Sequence, residues 1–252
     1  MQNPLANFLL VLTFFTRLPL PHELGKRIGH DARMTEAVVY FPVVGFIIGI
    51  VTAIVWYLSS LLLAGSIAAG LAIMTGLIVT GALHEDGFAD CADGLGGSPN
   101  REKALEIMRD SRIGTYGGLA LIITVGLRWL ALATLSPLAG VAALLIAHAT
   151  SRSAMTLAMK LSQYARPEGL GKLASGDVSD VSFLIAILLA FGVGGTFGGF
   201  AGLMAVTGAL GFSWAFLKYL EARIGGYTGD GLGAMQQVAE ITTMIILVGA
   251  FG

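Results

Sequence analysis

Apolar segments long enough to cross a bilayer follow one another along this chain with short polar connections, and few water-soluble folds could bury them all. From Glu36 onward they cover residues 37–58, 63–83, 116–135, 138–159, 181–197, 200–217 and 234–251. Charged residues make up 12% of the sequence, against roughly 25% in a soluble domain, while 55% is apolar and mean hydropathy is +0.79. The expected architecture is all-α, a polytopic helical membrane protein of about seven transmembrane helices. The chain, residues 1–252, reads as a single integral membrane domain, with no hydrophilic stretch large enough for a second. An apolar N-terminal stretch, 3–18, ends at Pro19 and Pro21 and is short for a span, which suits a helix lying at the interface. It lacks the basic start and small-residue cleavage site of a signal peptide. One cysteine, Cys91, excludes an internal disulfide, and its acidic neighbours disfavour a thiolate, so it reads as packing.

The few charges fall in a pattern. Basic residues lie before the first span (Arg17, Lys26, Arg27, Arg33), after the second (Arg101, Lys103, Arg109, Arg112), after the fourth (Lys160, Arg166, Lys172) and after the sixth (Lys218, Arg223). Loops after the first, third and fifth spans carry no Lys or Arg. The positive-inside rule then places the N-terminus and every charged loop in the cytoplasm, with the C-terminus outside an inner (cytoplasmic) membrane. Within one of these loops, residues 101–112 put Ala104, Leu105 and Met108 on one side and charges on the other, the pattern of a short amphipathic surface helix. Glycines inside the spans, such as Gly45 and Gly49, suit close helix packing.

The densest chemistry sits in His84-Glu85-Asp86-Gly87-Phe88-Ala89-Asp90-Cys91-Ala92-Asp93-Gly94. Asp86, Asp90 and Asp93 stand at i, i+4 and i+7, so a helix carries them on one face. Carboxylates so placed repel each other unless a cation holds them, and oxygen-only ligands favour a hard ion such as Mg²⁺ shared with a substrate phosphate. A solvated acidic loop at the membrane edge is the alternative. Asp110, Ser111 and Arg112, followed by Gly114, Gly117 and Gly118, combine hydroxyl, guanidinium and flexible backbone where the third span begins, which suits phosphate. Arg128 and Arg152 lie within spans, where an unpaired arginine costs at least ~2.5 kcal/mol. They read either as phosphate clamps or as ion-pair partners, for instance of Glu240; His148, one turn before Arg152, reads as a packed histidine. The stretch from Gly225 through Thr228 and Asp230 to Ala234 has no P-loop Lys-Ser/Thr but offers a hydroxyl, a carboxylate and amides. Tyr164 to Gly171, with Arg166, either closes over a ligand or is a plain connection.

In order along the chain, Phe15-Thr16-Arg17-Leu18-Pro19, Leu83-His84-x-Asp86-Gly87-x-Ala89-Asp90-x-Ala92-Asp93-Gly94, Arg152, Arg166-x-Glu168-Gly169, Gly226-x-Thr228-Gly229-Asp230 and Glu240 resemble cobalamin synthase, the adenosylcobinamide-GDP ribazoletransferase family. The resemblance extends over essentially the whole chain; Glu85 departs from it, since many members carry leucine there. It implies an Mg²⁺-dependent membrane enzyme of lower-ligand assembly, joining α-ribazole or its 5′-phosphate to adenosylcobinamide-GDP with release of GMP. In that chemistry Asp86, Asp90 and Asp93 are expected to hold Mg²⁺, and His84 or one of these aspartates to take the hydroxyl proton. Arg112, Arg152, Arg166, Thr228, Asp230, Glu240, Asp110 and Ser111 are the expected substrate-binding residues. The implied partners are the activated corrinoid, ribazole and membrane lipid, with no nucleic acid; association with other cobalamin-assembly enzymes and a homo-oligomer are compatible with it. An ion- or proton-coupled transporter is the competing class, and it predicts polar residues at mid-membrane with a route to the outer face.

Overall fold

The computed structural model describes residues 3–19, 33–166 and 176–252. Lys26, Arg27, Glu168, Gly169 and Lys172 lie outside the described residues. The helices are α1 (Pro4–Phe15), α2 (Met34–Ala37), α3 (Phe41–Ser60), α4 (Gly65–Thr80), α5 (Leu83–Gly97), α6 (Arg101–Ile107), α7 (Thr115–Ala133), α8 (Pro137–Leu161), α9 (Asp180–Ile224) and α10 (Gly229–Phe251). A 3₁₀ turn, Val38–Tyr40, joins α2 to α3. Among the described residues there is no strand, only an isolated parallel bridge between Tyr164 and Tyr227. Side chains start the helices where the sequence supplies N-caps: Asn3, Asn100, Ser136, Ser179 and Thr228 each accept an amide of the helix they precede.

α8 is the centre of the bundle. Its residues are buried without interruption from Ala143 to Met159, the pattern of a helix surrounded by other helices. α3 lies closest against it. A Cβ on Gly45 would run into the His148 carbonyl oxygen, and one on Gly49 would stand 3.1 Å from the Leu144 carbonyl oxygen. At the far end of the same pair, the Trp56 indole donates to the Pro137 carbonyl at 2.9 Å.

Two breaks shape the rest. At Gly199 (φ +54°) the long helix α9 reverses: Gly194 and Gly202 meet backbone to backbone, and Ala190 shares a cluster with Ala205 and Val206. Its limbs, 180–198 and 200–224, are where the sequence places a fifth and a sixth span. α4 is shorter than its expected span, ending at Thr80, where Gly81 and Ala82 both adopt left-handed backbone and α5 departs at 89°. Among the described residues five helices are long and apolar enough to cross a membrane, or six with the bent α4–α5 pair taken as one span; the reversal at Gly199 is what brings that number toward seven. α1 packs Val11 and Phe15 into the main core, and the amphipathic helix is shorter than expected, Arg101–Ile107.

The connections collect at opposite ends. Gly65 adjoins the Ala133 carbonyl and Trp56 reaches Pro137 at the end without Lys or Arg. At the other end, Arg223 donates to the Leu95 and Ser98 carbonyls and Arg101 to those of Ile224 and Ala165.

Gly45→Ala is expected to destabilise the bundle by about 1–3 kcal/mol, because backbone rather than a flexible side chain opposes the added methyl. Gly126→Ala, with nothing within 4 Å of its Cβ position, should not lower stability. Thermal denaturation midpoints in detergent distinguish the two.

Candidate active site

The corner at Gly81–Ala82 sets the acidic helix across the charged end of the bundle instead of continuing α4. Asp86 and Asp90, one turn apart on α5, share a face; Asp86 is exposed and Asp90 half-buried. α10 crosses α5 with nothing but backbone between them. A Cβ on Gly87 would lie 3.0 Å from the Asp230 Cα, and one on Gly233 would lie 3.1 Å from the His84 carbonyl oxygen. This contact brings Asp230, in the first turn of α10, beside the α5 pair: Asp90 experiences the charges of Asp230, Asp86 and Arg166. Thr228, fully buried, caps α10 by accepting the Gly231 amide at 3.0 Å.

Arg166 reaches Asp230, Nη2 to Oδ2 at 2.9 Å, because the two loops that carry them are stitched together. Ala165 N–H donates to the Tyr227 carbonyl at 2.8 Å and Tyr227 N–H to the Gln163 carbonyl at 3.0 Å. Gly226 (φ +150°) permits this, since a Cβ there would collide with the Gln163 carbonyl oxygen. Tyr164 and Tyr227 stack edge to face above the bridge, centroids 5.6 Å apart.

Asp93 is used differently. Its carboxylate oxygens accept the amides of Gly114 and Gly117 at 2.7 and 2.8 Å, where the positive end of the α7 dipole favours a negative charge. Two amides that the sequence offers to phosphate are therefore occupied by a side chain of the chain itself. Among the described residues no three His, Cys, Asp or Glu side chains converge on a common metal position, so the Asp86–Asp90–Asp93 set is not assembled as expected. His84 projects from the other side of α5, 2% exposed, with its ring 5.4 Å from Phe15, and is not brought to the carboxylates. Arg112 forks onto Asp110 (2.6–3.2 Å) at the surface, and these bonds hold the Asp110 carboxyl down at about 2. Ser111 is exposed beside them.

Beneath this rim lies a second polar centre, inside the bundle. Glu240 on α10 accepts from Arg128 (α7) at 2.8 Å and from Arg152 (α8) at 3.0 Å. Arg128 also donates to Glu85 (α5) at 2.9 Å. Gln236 donates to Glu240 and, at 3.1 Å, to Ser151; Gln237 donates to Glu85 at 3.0 Å and accepts from Thr124 at 2.9 Å. His148 Nδ1 stands 2.9 Å from Arg152 and 3.3 Å from Glu240. Two arginines against two glutamates balance, as burial requires. The cavity they line, about 10 Å³, has room for about one water. Of the two readings of Arg152 and Glu240, the structure realises the ion pair; neither is open to the rim as a phosphate clamp, each being no more than 3% exposed.

The cobalamin-5-phosphate synthase family matches residues 7–248. The chain belongs to this family. Proteins named adenosylcobinamide-GDP ribazoletransferase resemble it end to end. The one from Bradyrhizobium diazoefficiens is 41% identical over 97% of this chain and 94% of its own length. The Clostridium novyi protein is 34% identical over 97% of each chain, and the Vibrio cholerae protein 38% over 98% and 95%. No solved structure matches.

Within this cobalamin synthase frame, the sequence brings forward Asp86, Asp90, Arg166, Thr228 and Asp230, and the fold gathers all five at one rim. Sequence reasoning passes over Gln236 and Gln237, although two adjacent amides one turn before a glutamate inside an apolar helix mark a buried network. The Tyr164–Tyr227 bridge carries no local signal, because a single isolated bridge has no run of residues to show alternation.

Glu240→Gln leaves Arg128 and Arg152 facing a single carboxylate, Glu85, and is expected to cost about 3–5 kcal/mol. The yield of folded monodisperse protein and its thermal midpoint in detergent should both fall. Arg112→Ala, at a solvent-exposed surface pair, should leave both unchanged.

Proposed function

We propose that this membrane transferase of cobalamin synthesis joins α-ribazole, or its 5′-phosphate, to adenosylcobinamide-GDP and releases GMP. The observation that carries the site assignment is the meeting of Asp86 and Asp90 with Asp230 and Arg166, from two helices and a stitched loop, at one end of a neutral bundle. A hydroxyl oxygen of the ribazole attacks the corrinoid-linked phosphorus. A P–O bond forms, the diphosphate P–O bond breaks, and GMP departs with the released charge. Such chemistry asks the protein for positioning and charge neutralisation more than for covalent participation.

The hydroxyl proton passes to an aspartate of the rim, Asp86, Asp90 or Asp230, whichever keeps an oxygen free of the ion. This assignment replaces His84, whose ring is packed on Phe15. Arg166, held on Asp230 at the rim, is the residue we assign to offset phosphate charge. Thr228 contributes through its cap, which fixes the first turn of α10 and with it Asp230. The donor set fits Mg²⁺: its ligands are all oxygens, and the carboxylates are fewer than a complete cage needs, which suits an ion that shares its shell with substrate phosphate and water. Asp86 and Asp90 would hold the ion together with substrate phosphate and water, Asp230 standing beside them on Arg166, and the ion would supply charge neutralisation at the diphosphate.

The alternation of basic loops supports placing this rim in the cytoplasm, on the inner membrane. Transport has no support here, because the interior charges pair with one another and the outer connections carry no Lys or Arg.

The test is GMP release from adenosylcobinamide-GDP and α-ribazole phosphate by protein in liposomes. Asp86→Asn and Asp90→Asn should each lose on the order of 100-fold in kcat, with thermal midpoints unchanged, and chelation of divalent cations should abolish wild-type turnover. Full activity in both variants would remove these aspartates from the chemistry.

A further inference from the structure

Where α8 and α9 end, the charged end of the bundle holds a cavity of about 580 Å³, a size within the roughly 300–1,000 Å³ of small-molecule sites. Among the described residues it is lined by Lys160 and Leu161 of α8, by Ser162 and Gln163 after it, by Glu221 of α9 and by Gly225 after α9. Ser162 and Gly225 are the C-caps of the two helices. The last carbonyls of both helices, which have no partner further along their own helix, therefore point to this end. Cationic charge here is already committed. The Lys160 ammonium donates to the Val178 carbonyl at 2.7 Å and pairs with Asp180 at 2.6 Å. Arg101, which approaches Gly225, donates to the carbonyls of Ile224 and Ala165.

The cavity shares two loops with the rim. Gln163 and Gly225, in its wall, come just before the Tyr164–Tyr227 bridge, and Arg166 and Asp230 come just after it. Because the bridge is parallel, both loops lead from the cavity toward the Arg166–Asp230 pair. Three residues of chain from Gln163 to Arg166 keep their Cα atoms within about 11 Å of each other. The hydrogen bonds from Ala165 N–H to Tyr227 and from Tyr227 N–H to Gln163 hold the two loops in that register.

A hydroxyl, an amide, a carboxylate and helix-end carbonyls make a wall rich in acceptors, and among the described residues it has no uncommitted cation. Such a wall disfavours phosphate and suits a ligand that brings N–H donors. We propose that this cavity takes the carboxamide-bearing edge of the corrinoid, whose amide N–H groups donate to Ser162, Gln163 and Glu221 while the linked diphosphate lies at Arg166 and the carboxylates. The proposal deepens the transferase reading above and rests on it. Of the three parts which that reading brings together, the nucleotide calls for cations and the ribazole base for a flat apolar or aromatic wall. Leu161 is the single apolar side chain among the described lining residues, so the amide-rich corrinoid is the part that matches.

The experiment measures three Kd values on full-length protein in detergent: for cobinamide (the corrinoid without GDP), for the same corrinoid with carboxylates in place of its carboxamides, and for GDP. Wild type is compared with Ser162→Leu, Glu221→Gln and, as a control in a surface pair of α6, Lys103→Ala. Wild type should bind the carboxamide corrinoid about tenfold or more tighter than the carboxylate one, and Ser162→Leu should lose about tenfold or more for cobinamide with GDP unchanged. Glu221→Gln removes a charge that repels carboxylates and should narrow the preference; Lys103→Ala should change nothing. Wild-type cobinamide affinity in Ser162→Leu together with wild-type preference in Glu221→Gln overturns the subsite, as does a wild type with no preference. GMP release from the complete donor by the same preparation then leaves the transferase reading standing. A wild type that releases no GMP and binds neither GDP nor cobinamide overturns both. Should Ser162→Leu fail to fold, Glu221→Gln, at a partly exposed position, decides through the preference alone.

Discussion

Everything at the charged end depends on one buried carboxylate, Glu240, held between Arg128 and Arg152 in the middle of an apolar bundle. No charge can stay there alone, so each partner must arrive from a different helix: Arg128 from α7, Arg152 from α8, and Glu85 from α5 to complete the balance. Charge neutrality thus acts as a tertiary constraint. It fixes how far α10 lies along α8, and therefore where Asp230, ten residues earlier on α10, emerges at the rim.

The acidic helix is secured at three points along its length. Glu85 anchors its start to Arg128, Gly87 sets its middle against the α10 backbone, and Asp93 seats its end on the first turn of α7. Between these anchors Asp86 and Asp90 have little freedom to move apart. Two carboxylates on one helical face repel each other, and a scaffold that holds them together leaves that repulsion for a cation or a phosphate-bound metal to relieve. Asp93 escapes it because the α7 dipole and two amides neutralise its charge locally.

Much of this was legible in the sequence, and the exceptions share a cause. The scarcity of charge, the apolar runs and the alternation of basic loops depend on composition over long windows, so the helical membrane fold follows from them, including the reversal at Gly199 between two runs that a single long helix joins. The helical face shared by Asp86 and Asp90 follows from spacing. Spacing cannot say which of three aspartates on that face will meet another helix, and Asp93 differs from its companions only because the Gly114–Gly117 turn arrives there through the fold. In the same way the sequence left Arg152 suspended between clamp and ion pair, because that choice depends on whether Glu240 lies at the same depth. The bend at Gly81 was missed since Ala82, its second left-handed residue, looks like ordinary helix.

The central claim is that Asp86 and Asp90 of α5 take a metal together with substrate phosphate at the rim, where Asp230 of α10 stands beside them on Arg166, and that Asp93 contributes structure only. Electron paramagnetic resonance of Mn²⁺ bound to the purified protein in the presence of GDP tests it most directly. The account predicts tight Mn²⁺ binding in the wild type that is lost in Asp90→Asn, weakened in Asp230→Asn and kept in folded Asp93→Asn. Binding abolished by Asp93→Asn and untouched by Asp230→Asn would contradict it.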